Sequence, residues 1–392
     1  MFSPADRTAA LQPTAVNSVL AEVRALLAEG RDVVSLMRGE PDLATPPHIV
    51  EAAVRSLQQG RTAYPDNRGE PRLREAVADK LERRNGVRYD PGSEILITDG
   101  ATFGIYAALM TVVNPGDGVL LPDPVYDAYQ SPIRLAGGVV QPVVCELRDG
   151  RFRLTVDALE TACTGESRVL LINSPWNPTG TVLTREELSA VCEFAVRRNL
   201  TLISDEIYET ITYGGRAHVS PASLAPEVRE RTVTVNSLSK TYAMTGWRVG
   251  YCAAPASLIR TMFLVLQQSS RGPATFVQDA GTAALSGPQD CVAEMRETYT
   301  QRRQTVLDAL IGLPGTRVLP PEGGFFAMLD VRATGMPSNE LRRRLLREHG
   351  VVVLHGGAYG PAGEGTLRVS FATGGAVLDR GLERLRAGLS AR

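Results

Sequence analysis

Through the middle of the chain, short apolar runs alternate with longer stretches in which apolar positions recur every three or four residues. The runs Glu94–Thr98, Gly118–Pro122, Val139–Val144, Arg168–Asn173, Thr201–Asp205, Thr232–Asn236 and Trp247–Cys252 have the length of buried strands. The stretches Phe103–Val113, Arg185–Arg197 and Ser257–Ser269 read as amphipathic helices. Alternation of this kind predicts the α/β class, with a mainly parallel seven-stranded sheet and helices on both faces. Ligands of such sheets bind beyond the carboxyl ends of the strands, and the chemically suggestive residues cluster at those ends.

The last hundred residues follow another pattern. A long helical stretch over Asp290–Leu310 precedes a strand at Phe325–Asp330, and a helix over Asn339–His349 leads to a strand at Val351–Leu354. Thr366–Phe371 is a further strand before a closing helix. This predicts a smaller α+β unit completed by the start of the chain. The expected division is 1–47 (arm and part of the small unit), 48–290 (large unit) and 291–392 (small unit).

Charge then narrows the function. The 42 basic residues nearly cancel the 43 acidic ones, leaving a net charge of −1, so neither nucleic acid nor a membrane surface is expected as a partner. The longest apolar run, Ile105–Val113, falls short of the ~18 residues a membrane span needs. The first residues lack a basic head followed by an apolar stretch, and a cytoplasmic location is the default expectation. Five scattered cysteines form no C-x-x-C pair, as expected of reduced thiols, and the four histidines have no metal-ligand spacing, so no metal is expected.

Only Lys80 and Lys240 among the basic residues are lysines; the other 40 are arginines. A guanidinium is never neutral at ordinary pH and does not act as a nucleophile, so a lysine kept in so arginine-rich a chain is a candidate for chemistry. Lys80 reads as an ordinary helix-surface residue. Lys240 lies in Asn236-Ser-Leu-Ser-Lys-Thr-Tyr-Ala-Met-Thr-Gly-Trp-Arg248-Val-Gly250, directly after a strand. The hydroxyls of Ser237 and Ser239 and the Arg248 guanidinium suit a bound phosphate, and an amine beside them suits a Schiff base with an aldehyde on the same ligand. That combination describes pyridoxal 5′-phosphate.

Here the chain resembles the pyridoxal-phosphate-dependent class I/II aminotransferases of the aspartate aminotransferase fold, whose lysine motif has the form S-x-S-K-x-x-x-x-x-G-x-R-x-G. The resemblance runs from about Leu36 to Phe371, with six motifs in the family's order. It implies a three-layer fold in which Lys240 holds the cofactor and later moves the proton. Asp205, in Ser204-Asp-Glu-Ile-Tyr208, would keep the pyridine nitrogen protonated so that the ring accepts electrons, and Tyr208 would donate to the ring oxygen. Asn177, in Asn173-Ser-Pro-Trp-Asn-Pro-Thr-Gly180, maps to the same oxygen and to the substrate side of the site; Trp176 departs from the usual motif and is expected to alter the pocket wall.

Gly100-Ala101-Thr102 ends a strand and opens a helix, whose N–H groups suit phosphate, and the family maps its phosphate cup to Ala101 and Thr102. The resemblance further implies Tyr126 stacked on the ring and Tyr64 reaching the phosphate of a neighbouring subunit, hence a homodimer with shared sites. Arg368, in an R-x-S context, would grip a substrate α-carboxylate bidentately, with Gly39 beside it. Arg38 and Arg271 fall in segments that border the substrate in the family.

The expected reaction moves an amino group from an L-amino acid to a 2-oxo acid. Lyases and cyclising synthases with the same motifs form the alternative. A transcription regulator would need an added basic helix-turn-helix module, of which the first 45 residues show no sign. The strings Ser220–Leu224, Asn236–Gly250 and Gly323–Arg332 are similar to those of arginine–pyruvate transaminases.

Overall fold

The computed structural model describes residues 3–9 and 11–390. Seven strands form a central sheet in the order Ile95–Thr98, Gly250–Ala253, Thr232–Ser237, Thr201–Asp205, Ser167–Asn173, Gly118–Asp123, Val139–Val144. All are parallel except Gly250–Ala253, which runs antiparallel to both neighbours and pairs its first residue with Thr98 and Ser237. Because that strand is reversed, its beginning and the carboxyl ends of the parallel strands share one edge. The inner strands are buried along almost their whole length, since helices cover both faces of the sheet, and their buried polar residues gather towards the carboxyl ends (Asn173, Ser204, Asp205, Asn236, Ser237). Ala101–Val112 and Ala256–Gln267 pack on one side, and Pro47–Gln58, Pro71–Lys80 and Thr275–Ser286 pack at the end near Ile95–Thr98.

Beyond these helices a second sheet orders Arg317–Leu319, Phe326–Asp330, Thr366–Ser370 and Leu354–His355, all antiparallel. Val34–Ser35 pairs in parallel with Val351–Val352, so the start of the chain does join the later residues. Helices Asp290–Leu310, Ser338–His349 and Gly375–Ser390 cover this sheet.

The expected strands recur within one or two residues of their positions, with two exceptions: Val351–Leu354 is split into Val351–Val352 and Leu354–His355, which join different sheets, and Trp247–Cys252 starts only at Gly250. The late start at Gly250 has a local reason: Arg248 takes a left-handed backbone (φ 55°), and the Trp247 amide closes a turn onto Met244. A second correction concerns Lys80. It is not on the surface but is 6% exposed, ion-paired with Glu209 and hydrogen-bonded to Asn85 and Tyr251. Among the described residues no helix is long and apolar enough to cross a membrane.

Candidate active site

A cavity of about 640 Å³ opens at the carboxyl edge of the large sheet, walled on the other side by the smaller sheet. Ala101, Thr102, Tyr126, Asn177, Asp205 and Tyr208 reach it from the first, as do Ser239, Lys240 and Arg248. Arg368 and Phe326 line it from the second, and Gly39 from the chain's first segment. Ser237 is not among the lining residues, and Tyr64, expected at a neighbouring subunit's phosphate, stands apart from this cavity. Ser237 is buried behind the wall and caps the short helix Leu238–Thr241, accepting from the Ser239 amide (3.0 Å) and donating to the Val249 carbonyl (3.1 Å). Tyr64 is 86% exposed outside the cavity, with the Arg271 guanidinium 6.0 Å from its ring centre. Arg271 does not reach the cavity either.

At one end, the helix Ala101–Val112 points its first N–H groups into the cavity beside Thr102, Ser239 and Arg248. Helix N-termini concentrate unsatisfied donors and partial positive charge, which favours an anion. Gly100 precedes the helix at φ 81°, a left-handed conformation open to glycine. A Cβ on Gly250 would lie 2.8 Å from the Gly100 carbonyl carbon and 2.9 Å from the Ala101 amide. That close approach seats the helix start. Arg248 donates to the carbonyls of Thr245 (3.0 Å) and Asp99 (3.2 Å) and, among the described residues, has no carboxylate partner.

Asp205 marks another pole. It is buried at the end of its strand and accepts from the Tyr129 hydroxyl (2.6 Å) and the Ile207 amide (3.1 Å). Among the described residues no cation pairs with it, and burial pushes its carboxyl up to about 6 despite the Tyr129 hydrogen bond. Tyr126 stands edge-on to Tyr129 (5.4 Å between ring centres), and Tyr208 packs edge-on against Phe325 and Phe326.

Lys240 lies between these ends, its Nζ donating to the Gly39 carbonyl at 2.6 Å. Burial lowers its ammonium to about 8; Glu40 opposes this and Arg248 reinforces it. Near neutral pH an appreciable fraction of the amine is therefore unprotonated, as a nucleophile or proton acceptor requires.

The third pole is Arg368, 2% exposed on the strand Thr366–Ser370. It donates to Asn177 Oδ1 (3.0 Å) and the Met37 carbonyl (2.8 Å), stacks 4.1 Å from the Phe326 ring centre, and leaves Nε unpartnered. No carboxylate neutralises it among the described residues. A buried guanidinium held only by neutral groups is a strong site for an anionic ligand.

Trp176 corrects another expectation. It is buried among Leu120, Leu170 and Met328 and does not wall the pocket. Arg38 lines the mouth but pairs with Glu40 at 3.2 Å, both half exposed or more. Tyr129 and the stretch Thr14, Val16, Asn17 and Leu20 also form part of the wall, though no sequence motif points to them. Tyr129 had a signal: it lies three residues beyond Tyr126, one helical turn. The early stretch had none, because its apolar pattern equally fits a helix packed on the small unit.

The sequence profile of aminotransferase class I and II matches residues 31–385. Aspartate aminotransferase of Bacillus sp. (strain YM-2) is 38% identical, over 97% of each chain. Arginine–pyruvate transaminase of Pseudomonas aeruginosa is 38% identical, over 91% of this chain and 90% of its own. A solved single mutant of Thermus thermophilus aspartate aminotransferase superposes with a TM-score of 0.93 at 37% identity, covering 99% of this chain and all of its own. These names favour amino-group transfer over the lyase and synthase alternative. With a profile match and relatives along nearly its whole length, the chain belongs to the class I and II aminotransferases and is a transaminase.

Proposed function

We propose that the cavity binds pyridoxal 5′-phosphate and transfers the amino group of an L-amino acid to a 2-oxo acid. The observation that carries this reading is the set of three uncompensated poles around one amine. The donors at Ala101, Thr102, Ser239 and Arg248 suit a phosphate. The Asp205 carboxylate suits a protonated pyridine nitrogen, and the Arg368 guanidinium suits an α-carboxylate. No other common cofactor unites a phosphate, a basic ring nitrogen and an aldehyde for Lys240. When bound, this cofactor supplies the aldehyde that takes up the amino group and a ring that draws electron density from the substrate Cα.

The protein's own groups do the rest. Tyr126 covers a ring face, while Tyr208 and Asn177 serve the ring oxygen. Arg368, with Asn177 and the Gly39 backbone, orients the substrate carboxylate. Lys240, whose ammonium burial lowers to about 8, takes the proton from Cα and returns it on the other side of the transfer. Its direct neighbours include no histidine, so a single amine acts as base and then as acid.

We also read the molecule as a homodimer in which Tyr64, exposed at 86%, reaches the phosphate of the second subunit's site. We divide the chain near residues 48 and 290, a reading supported by the two separate sheets, and five unpaired cysteines support a reducing compartment such as the cytoplasm. Lys240→Ala tests the core of the proposal. It should abolish turnover and the absorbance band of the bound cofactor together, and an active variant refutes the assignment. Product analysis separates the reactions: a new amino acid formed only with a 2-oxo acid present means transfer, whereas ammonia without an acceptor means elimination.

A further inference from the structure

The chain has two lysines, and only one faces the cavity. Lys80 ends the helix Pro71–Lys80 and is followed by a π-helical turn, Leu81–Asn85. The wider turn brings residue i+5 back to residue i, so Asn85 Oδ1 lies 3.0 Å from Lys80 Nζ. Nζ also meets the Tyr251 hydroxyl at 3.0 Å and the carboxylate of Glu209. Three acceptors therefore answer the three N–H groups of an ammonium. An arginine would bring five donors on a plane to the same three acceptors, so the site fits a lysine better than any of the chain's 40 arginines.

The acceptor side of the network belongs to the turn that carries the catalytic groups. In Asp205-Glu-Ile-Tyr208-Glu209, Asp205 and Tyr208 face the cavity and Glu206 and Glu209 face away from it. Glu209 accepts from Asn85 Nδ2 at 3.0 Å as well as from Lys80. Glu206, fully buried, accepts from Ser204 (3.1 Å) and Ser220 (2.8 Å) and meets His218 Nε2 at 2.9 Å. Burial pushes Glu209 upward, and Lys80 and His218 outweigh it, so its carboxyl stays below the usual range. Ligand atoms of Glu206, Glu209 and His218 come within 4.8 Å of one another, the spacing of a metal site, but the ammonium already serves there as the cation.

The same pair faces the helix that bears Lys240. Lys80 and Glu209 border a small space of about 10 Å³ whose far side is Ser237, Leu238 and Thr241. Thr210 and Thr241 share a hydroxyl hydrogen bond at 3.1 Å. We propose that Lys80 is a positioning residue: through Glu209 and Asn85 it holds the turn Asp205–Thr210, and with it the Asp205 carboxylate and the Tyr208 hydroxyl, in register with Lys240. The inference rests on the cofactor reading above.

The test compares wild type, Lys80→Met, Lys80→Arg and the double variant Lys80→Met/Glu209→Met. Each is measured for pyridoxal 5′-phosphate affinity by equilibrium dialysis, for the pH titration of the bound cofactor's absorbance, and for thermal unfolding. Displacement of groups that touch a ligand through their supports costs about 10- to 100-fold, and Lys80→Met should raise the cofactor dissociation constant by that factor and shift the titration. Lys80→Arg should share the defect. The double variant, which exchanges a buried ion pair for apolar side chains, should regain thermal stability and keep the defect.

A double variant with wild-type affinity and titration overturns the proposal, because the pair then contributes stability alone. Wild-type behaviour of Lys80→Arg overturns it as well. Should Lys80→Met not accumulate as folded protein, the other two variants carry the same outcomes. Failure of the wild type to take up the cofactor at all would instead refute the cofactor reading, and this inference with it.

Discussion

Removing the guanidinium of Arg368 should cost catalysis far more than it costs the fold. In Arg368→Met a side chain of similar length keeps the contact with Phe326 but loses all charge. Hydrogen bonds to charged groups contribute about 1.5–3 kcal/mol each, so losing a two-pronged grip on the substrate carboxylate forfeits about 3–6 kcal/mol. At about 1.4 kcal/mol per factor of ten, kcat/KM should fall by about 10² to 10⁴. The fold experiences two opposing changes. Asn177 Oδ1 and the Met37 carbonyl lose a donor, while an unneutralised cation disappears from a position 2% exposed to solvent. The unfolding midpoint should therefore move by only a few degrees, to be read from a thermal melt. The assay compares an amino acid with the amine that lacks its carboxylate. Wild type should strongly prefer the amino acid, and the variant should lose that preference by the factor by which its kcat/KM fell. Arg368→Lys, which keeps the charge without the planar fork, should fall between them. A variant that still discriminates against the amine, or stays within tenfold of wild type, refutes the assignment of the carboxylate to Arg368.

The lowered ammonium of Lys240 has a sign that can be checked in cofactor-free protein. Between about 8 and 10.5 the unfolded chain holds a proton that the folded one has lost, so stability rises with pH through that window. Lys240→Met should thus be more stable than wild type by about 2–3 kcal/mol at pH 7, less the lost bond to Gly39, with the gap closing towards pH 10.5 in urea titrations; a gap constant with pH contradicts the lowered value. Gly250→Ala would drive a methyl to 2.8 Å from the Gly100 carbonyl carbon and should weaken cofactor binding about tenfold or more, since it displaces the phosphate-facing helix start. Unchanged affinity by dialysis argues against that seat. Tyr129→Phe removes the hydroxyl that holds Asp205 down, so cofactor affinity should fall about tenfold through the loss of a charged hydrogen bond; equal affinities in dialysis would show that Tyr129 is dispensable. Trp176→Phe should reduce stability by about 1–3 kcal/mol and leave KM unchanged, because Trp176 is core. A changed KM would return it to the pocket wall.

How much was legible beforehand differs by kind of information. The strand Thr201–Asp205 and the helix Arg185–Arg197 could be placed to the residue, because burial on both sheet faces and a Thr184–Glu187 capping box leave strong local marks. Residues with motif neighbours, such as Lys240, Asp205 and Asn177, were found through those neighbours. Ser237 stands one hydroxyl back from the cavity, bonded to Ser239 at 2.7 Å; a hydroxyl that caps a helix and one that lines a pocket look alike in a sequence. Lys80 was misread for a deeper reason. Its partners Glu209 and Tyr251 are distant in the chain, and no periodicity announces that an exposed-looking helix end will be covered by a strand. The wall from Thr14 to Leu20 is likewise a matter of where the chain returns.

The contrasting enclosure of the two lysines has a practical consequence for mapping this protein. A lysine-specific protease has two internal sites in the chain, after Lys80 and after Lys240, and so releases three pieces from the unfolded protein. An amine-directed reagent applied to the folded protein meets one side chain that opens on the cavity and another sealed by Asn85, Glu209 and Tyr251. Modification of Lys240 alone fuses the second and third pieces and leaves the first intact. The protection of Lys240 by a bound ligand can therefore be read from the relative amounts of the fused and separate fragments, without any spectroscopic signal from the ligand.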